Sequence, residues 1–292
     1  MTDAPAQRPA AWRRVLQFPA TRLLLLGGAL LLMLAISNGF MDGFAAAPWK
    51  AIASAAAMAG LGLAFYVGFV RLVELRPVGE LALPGMGQEL AVGLAIGAGL
   101  YTGCVLILMA LGIYRIEGLN PVSFLAPAVS MALSSAIFEE LLFRGALFRI
   151  VEEWLGSWIS LVLSSLMFGF VHLLNPAATL TGAVFISVEA GLLLAAGYLV
   201  TRRLWMSIGF HFAWNYTQSA IFSGVVSGSD KDPGLLKSVI EGPVALTGGT
   251  FGLEASLVAF VLCTTAGVVL LRIAMRRGHM VPAPWRRAAP AQ

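Results

Sequence analysis

The sequence has 292 residues, of which 59% are hydrophobic and only 12% charged, with a formal net charge of +4. Soluble domains carry roughly 25% charged residues, so this composition, with a mean hydropathy of +0.85, excludes a water-soluble fold and makes lipid part of the solvent. The positive charge does not describe a nucleic-acid site. It is divided between Arg8, Arg13, Arg14 and Arg22 before the first apolar run and Arg272, Arg276, Arg277, Arg286 and Arg287 after the last, as in cytoplasmic flanks that rest near anionic headgroups.

Apolar runs fall near 22–38, 51–73, 90–112, 123–143, 157–174, 179–200, 204–222 and 253–275. Each approaches the ~20 residues that cross a bilayer as helix, and none shows the period-two alternation of a membrane barrel. The expected fold is all-α: a polytopic bundle of about eight transmembrane helices around a polar intramembrane cavity. The first run reads as a retained helix rather than a cleaved leader. Asn38-Gly39, Pro48, Pro77, Pro84-Gly85, Asn120-Pro121 and Asn175-Pro176 punctuate the runs as turns, and 223–252 is the one long polar interruption. Cys104 and Cys263 sit in separate apolar runs without metal-binding spacing, and read as small buried apolar residues.

Eight spans place both termini on one side, together with Arg71, Arg76, Arg144, Arg149, Arg202 and Arg203. The opposite loops hold Lys50, Arg115, Lys231 and Lys237. The positive-inside rule makes the shared side cytoplasmic and the 223–252 loop extracytoplasmic. The expected localisation is the cell membrane, with the bilayer and a protein or peptide substrate as partners and no nucleic acid. The end Ala289-Pro290-Ala291-Gln292 has no prenylation cysteine, so lipidation of the chain itself is not expected.

Charged groups at membrane depth cost at least ~2.5–3.5 kcal/mol each, and here they gather in the second half of the chain. In Phe138-Glu139-Glu140-Leu141-Leu142-Phe143-Arg144, helical spacing sets Glu140 and Arg144 about 40° apart around the axis, an (i, i+4) ion pair with the acid first. Glu139 lies about 140° from Arg144 and points elsewhere. Glu140 is thereby committed to structure and Glu139 is free for chemistry. His172 ends the next run, four residues after Phe168. His211 and Asn215 share one helix face, and Asn is a common oxyanion donor. Glu, His, His and Asn from three helices are the parts for activating water and holding a tetrahedral oxyanion. Taken singly, each has a plainer reading as an interhelical clamp or packing group. Glu189, in Val188-Glu189-Ala190-Gly191, is another acid at depth, either lining a cavity or pairing with a neighbouring helix.

Glu139-Glu140-x-x-x-Arg144, Phe168-x-x-x-His172 and His211-x-x-x-Asn215, in that order, resemble the three motifs of the CPBP family of CAAX proteases and bacteriocin-processing enzymes. The resemblance covers the core at 123–222. The stretch from Gly242-Pro243 through Thr247-Gly248-Gly249 and Phe251-Gly252 to Glu254 resembles the loop that trails that core. The N-terminal helices of 1–122 carry only hydropathy, and 253–292 supplies a last helix and a basic tail. The resemblance implies an intramembrane endopeptidase with Glu139 as water-activating base, His172 assisting, His211 and Asn215 at the oxyanion, and Glu140, Arg144 and Phe168 in support. The family is often called metalloprotease. Glu139, His172 and His211 could bind zinc with one open position, or act without metal.

The expected reaction is hydrolysis of a peptide bond in a membrane-associated, CAAX-like protein or peptide, near the cytoplasmic half of the membrane. The rival class is non-enzymatic: a small transporter or an immunity or scaffold protein using the same groups as a relay or clamp. Absence of an internal repeat speaks against a transporter. One difficulty is depth, because Glu139 falls near the cytoplasmic end of its run and His172 near the opposite end of the next. A single long helix from Ser123 to Val151 would submerge Glu139 and resolve it.

Overall fold

The computed structural model describes residues 11–230 and 233–286. Arg8, Lys231, Arg287 and the end at 289–292, which entered the charge and terminus readings, lie outside the described residues. The helices are α1 (Ala11–Gln17), α2 (Pro19–Gly43), α3 (Pro48–Leu72) and α4 (Met86–Ala110), then α5 (Val122–Leu155), α6 (Ser157–Leu174), α7 (Leu180–Thr201), α8 (Trp205–Tyr216) and α9 (Leu257–Arg276). The chain is an all-α polytopic membrane protein. Proline opens α2 and α3, where a missing N–H costs nothing and φ is already helical.

Among the described residues, seven helices, α2 to α7 and α9, are long and apolar enough to cross a membrane. The eighth expected span is α8, which has 12 residues and continues into a five-residue π-helical segment, Thr217–Ile221. It is short because protein, not lipid, surrounds it. Ten of its residues are buried, His211 and Asn215 among them. Gly93 and Gly97 of α4 meet the backbone of α8 at Met206 and Phe210, and Gly209 of α8 meets Leu90. A Cβ at any of these glycines would strike main chain, so small residues set this helix contact.

The depth difficulty resolves as the sequence suggests. Helix α5 runs unbroken for 34 residues, about 51 Å at 1.5 Å per residue, which is longer than the ~30 Å hydrocarbon core. Glu139 therefore falls near its middle. The placement of Arg144 at a cytoplasmic end is corrected by the same fact: α5 continues for three more turns, and Arg144 is fully buried. Residues Leu141–Phe148 of α5 and Ser187–Gly191 of α7 are wound as π-helix. Such segments are rare and recur at functional sites. Of the three among the described residues, one directly follows Glu139-Glu140, one contains Glu189 and one follows Asn215 after a single residue.

The two ends of the bundle differ. At one end, where α3, α5 and α7 finish and α2, α4, α6 and α8 begin, ionic groups gather in a layer made of one network and two further pairs. Arg149 pairs with Glu74 at 2.8 Å and Glu153 at 2.9 Å, and Arg22 with Glu153 at 2.8 Å. Arg76 pairs with Glu74 at 2.9 Å and Glu80 at 2.6 Å, while Tyr66 Oη donates to Glu80 at 2.6 Å. Arg202 pairs with Glu152 at 2.5 Å, and Arg203 with Glu89. At the other end the expected polar loop is partly structured. Strand β1 (Tyr114–Leu119) pairs antiparallel with β2 (Leu236–Ile240), and Asn175 Nδ2 donates to the Ser227 carbonyl at 2.7 Å. This small sheet ties the loop to the ends of α4 and α6.

Candidate active site

Glu140 has no exposed side-chain surface, and its Oε1 accepts from Arg144 Nη1 at 2.8 Å, as the (i, i+4) spacing requires. The same oxygen lies 3.0 Å from His211 Nδ1 on α8. Glu140 is thus more than a partner for Arg144. It also fixes the imidazole of a residue 71 positions away. An ionised carboxylate only accepts, so Nδ1 of His211 carries a proton and Nε2 is the nitrogen left for the cavity. His211 Nε2 stands 3.8 Å from Glu139 Oε2, and that oxygen is buried with no hydrogen-bond partner. Glu139 keeps 17% of its side chain exposed, against none for Glu140. One residue, about 100° around the helix axis, separates a committed carboxylate from an open one.

His172 is the first residue of the final turn of α6, and its Nδ1 lies 2.6 Å from the Phe168 carbonyl. A carbonyl only accepts, so Nδ1 donates and Nε2 of His172 is an available acceptor. Phe168 joins the parts. Its ring centroid is 5.0 Å from the His172 ring, 5.9 Å from the His211 ring and 4.6 Å from Arg144 Cζ. A buried guanidinium over a ring face is a desolvated cation–π contact, and it sets the Phe168 plane against which both imidazoles rest. Asn215 Nδ2 donates to Ser135 Oγ on α5 at 3.0 Å. That amide has two hydrogens, so one remains for another acceptor. Gly169 permits this approach of α6 to α7, because a Cβ there would overlap Ser187 Oγ and the Ala183 carbonyl.

Glu139, His172, His211 and Asn215 all line one cavity of about 470 Å³, with Phe168 and Glu189 also in its wall. Ligand sites commonly fall in this size range. Glu189 is 1% exposed and its Oε2 has no partner, so of its two sequence readings the cavity-lining one describes it. Arg144, its charge pointed at Glu140, is not in the wall. Two lining residues escaped attention as site groups. Ser135 looked like an ordinary small residue, and only the rotation of α5 against α8 brings it to Asn215. Glu254 was visible as an acid at the start of the last apolar run. Its Oε1 accepts from Trp214 Nε1 at 2.8 Å, and its Oε2 from the Ser227 amide at 2.6 Å and Ser227 Oγ at 2.8 Å. It is fully satisfied and pins the 223–252 loop to α8.

Among the described residues, no group of three or more His, Cys, Asp or Glu side chains is close enough to hold a metal ion, and this includes Glu139, His172 and His211. Each imidazole uses its Nδ1 for a partner outside that set, His211 for Glu140 and His172 for the Phe168 carbonyl.

The fold and this site define a class: a multi-pass membrane protein with a buried, cavity-facing set of acid, imidazole and amide groups. The comparison with protein families agrees with that class and narrows it. Residues 121–217, which include every residue of the three motifs, match the family model described as type II CAAX prenyl endopeptidase Rce1-like. The matched segment is about one third of the chain, and it is similar to that family of CPBP-type proteases. No curated protein and no solved structure matches the chain.

Proposed function

We propose that this protein is an intramembrane endopeptidase that hydrolyses a peptide bond of a membrane-associated protein, with Glu139 as the base. One observation carries the proposal: Glu139 Oε2, unpartnered, faces His211 Nε2 at 3.8 Å inside the cavity while Glu140 holds the other side of that imidazole at 3.0 Å. A carboxylate left free beside a fixed imidazole, in a space that also holds His172 and Asn215, is arranged for proton transfer rather than for packing.

In this reading a water sits between Glu139 and His172 Nε2. Glu139 takes one of its protons as the oxygen attacks the carbonyl carbon of the substrate. The carbonyl oxygen becomes an oxyanion and receives hydrogen bonds from the free amide hydrogen of Asn215 and, in the imidazolium form, from His211 Nε2–H. Glu139 then returns its proton to the amide nitrogen, the oxyanion collapses as the C–N bond breaks, and the products are a carboxylic acid and an amine, with the acid's proton passing to the amine to leave carboxylate and ammonium. Glu140 and Arg144 act on His211 and on Phe168, not on substrate.

We also propose that the ionic end of the bundle is cytoplasmic. Arg22, Arg71, Arg76, Arg149, Arg202, Arg203, Arg276 and Arg277 lie there, against Lys50, Arg115 and Lys237 near the opposite end. The test of the enzymatic reading is comparative membrane proteomics of wild type against Glu139→Gln. Proteins with uncleaved termini should accumulate in the variant. Identical terminal peptides in the two strains would count against a protease.

A further inference from the structure

The cavity is not equally closed at its two ends. Its lining comes from 31–41 of α2, Met131 to Phe143 of α5, 168–175 of α6, the middle of α7, 210–215 of α8, and Val226, Ser227, Ser229 and Glu254 of the outer loop. No residue of the ionic layer lines it. Between the site and that layer lie buried groups. Phe148 packs edge-on against Tyr198 at 5.5 Å, and Tyr66 closes on the Gly145 carbonyl at 2.9 Å. From Glu139 to Arg149 is ten residues of α5, about 15 Å of packed helix. His172, by contrast, is two residues from the end of α6, about 3 Å of rise. The lining reaches the rim on that side, where Leu174 is 84% exposed and Asn38 is exposed as well.

We infer that the site takes its peptide from the end of the bundle opposite the ionic layer, through the opening between the outer half of α2 and the end of α6. With the arginine-rich end cytoplasmic, the substrate is an extracytoplasmic polypeptide segment held at the outer leaflet, not a cytoplasmic C-terminus. Two features describe that segment. The rim is apolar on the lipid side, through Leu31, Leu34, Val171 and Leu174, so the peptide bears apolar residues or a lipid-embedded anchor. The opposite rim offers Ser229 and the backbone of the outer loop, where an extended chain finds hydrogen-bond partners. An extended strand advances about 3.3–3.6 Å per residue, so a few residues entering past Leu174 span the rim and reach Glu139. This differs from the cytoplasmic-half reaction that the linear sequence suggests, because helix α5 carries its closed part, not its open part, toward the basic end.

The inference rests on the protease reading for its substrate but not for its geometry, and the experiment keeps the two apart. Single-cysteine variants of the full-length protein in intact cells are treated with a membrane-impermeant maleimide. Ser229→Cys, Asn38→Cys and the cavity probe His172→Cys should be labelled from outside. Leu83→Cys, exposed in the turn before α4, should be labelled only after permeabilisation. Labelling of His172→Cys only after permeabilisation would overturn the proposed entrance whatever the protein catalyses. In parallel, the cleavage sites lost in Glu139→Gln membranes are mapped. Sites in extracytoplasmic segments support the inference. Sites confined to cytoplasmic termini overturn it while leaving the protease intact. If no site is lost, the protease reading fails and the labelling alone decides on which side the cavity opens.

Discussion

Glu140 Oε1 lies 3.0 Å from His211 Nδ1, and it is the same oxygen that takes Arg144 at 2.8 Å. One carboxylate oxygen therefore balances a buried guanidinium and orients a buried imidazole on another helix. Glu140→Gln should leave Arg144 without a counter-charge at full burial, at a cost of ~3–5 kcal/mol. Thermal unfolding in detergent should show a clear drop in Tm, and turnover should fall with it because His211 is released. An unchanged Tm would show that Arg144 is balanced by something other than Glu140.

Glu139→Gln should separate the two effects. Glu139 Oε2 has no partner to lose, so stability should change by no more than ~0.5 kcal/mol. The amide cannot accept a proton at neutral pH, and hydrolysis should fall by at least ~10²-fold. The pair of measurements on Glu139→Gln and Glu140→Gln checks the division of roles. Near-full turnover by Glu139→Gln would move the base to His172.

The amide of Asn215 is anchored by Ser135 at 3.0 Å. Loss of an oxyanion donor lowers kcat by ~10²–10³, and Asn215→Ala should do so with little change in KM. Ser135→Ala removes only the anchor. At about 1 kcal/mol for a neutral hydrogen bond, it should lower kcat by a factor of roughly five. Steady-state kinetics on one cleaved peptide decides. A larger effect of Ser135→Ala than of Asn215→Ala is incompatible with this order.

Gly169 lets α6 lie against Ser187 and the Ala183 carbonyl of α7. Gly169→Ala forces the two helices apart, at ~1–3 kcal/mol for an overpacked contact. Phe168 and His172 ride on the same turn, so activity should fall together with Tm. The double variant Gly169→Ala, Ser187→Gly should recover part of both. Absence of any recovery would put the strain elsewhere.

Glu80 supplies a pH test in the loop between α3 and α4. Burial pushes its carboxyl up, but hydrogen bonds from Arg76 and Tyr66 outweigh burial and hold it below the ordinary range. A lowered folded value means that the unfolded chain takes up the proton first. The stabilisation is complete above the unfolded value of about 4.3 and is lost as the pH falls through the lower folded value. The stability of the wild type should decline in that acidic window. Glu80→Gln should be less stable at neutral pH and should approach the wild type in acid. Parallel curves for the two proteins would remove Glu80 from the ionic layer.

What the sequence determined by itself was what repeats locally. Hydropathy over ~20-residue windows reports membrane helices because the bilayer imposes that length. The 3.6-residue period alone separates Glu139 from Glu140 and pairs Glu140 with Arg144, and reading 123–151 as one helix puts Glu139 inside it rather than at an end. The tertiary structure decided what depends on how one helix is turned against another. Neither the Glu140–His211 contact nor the seating of Phe168 between Arg144 and two imidazoles is encoded in any spacing, and Ser135 at Asn215 and Glu254 at Trp214 are equally silent. Helix tilt and rotation follow from packing at small residues such as Gly93, Gly97 and Gly169, which hydropathy does not resolve. The same holds for the end at which the cavity opens, since only the assembled bundle puts Tyr66, Phe148 and the arginine layer on one side of Glu139 and Leu174 on the other.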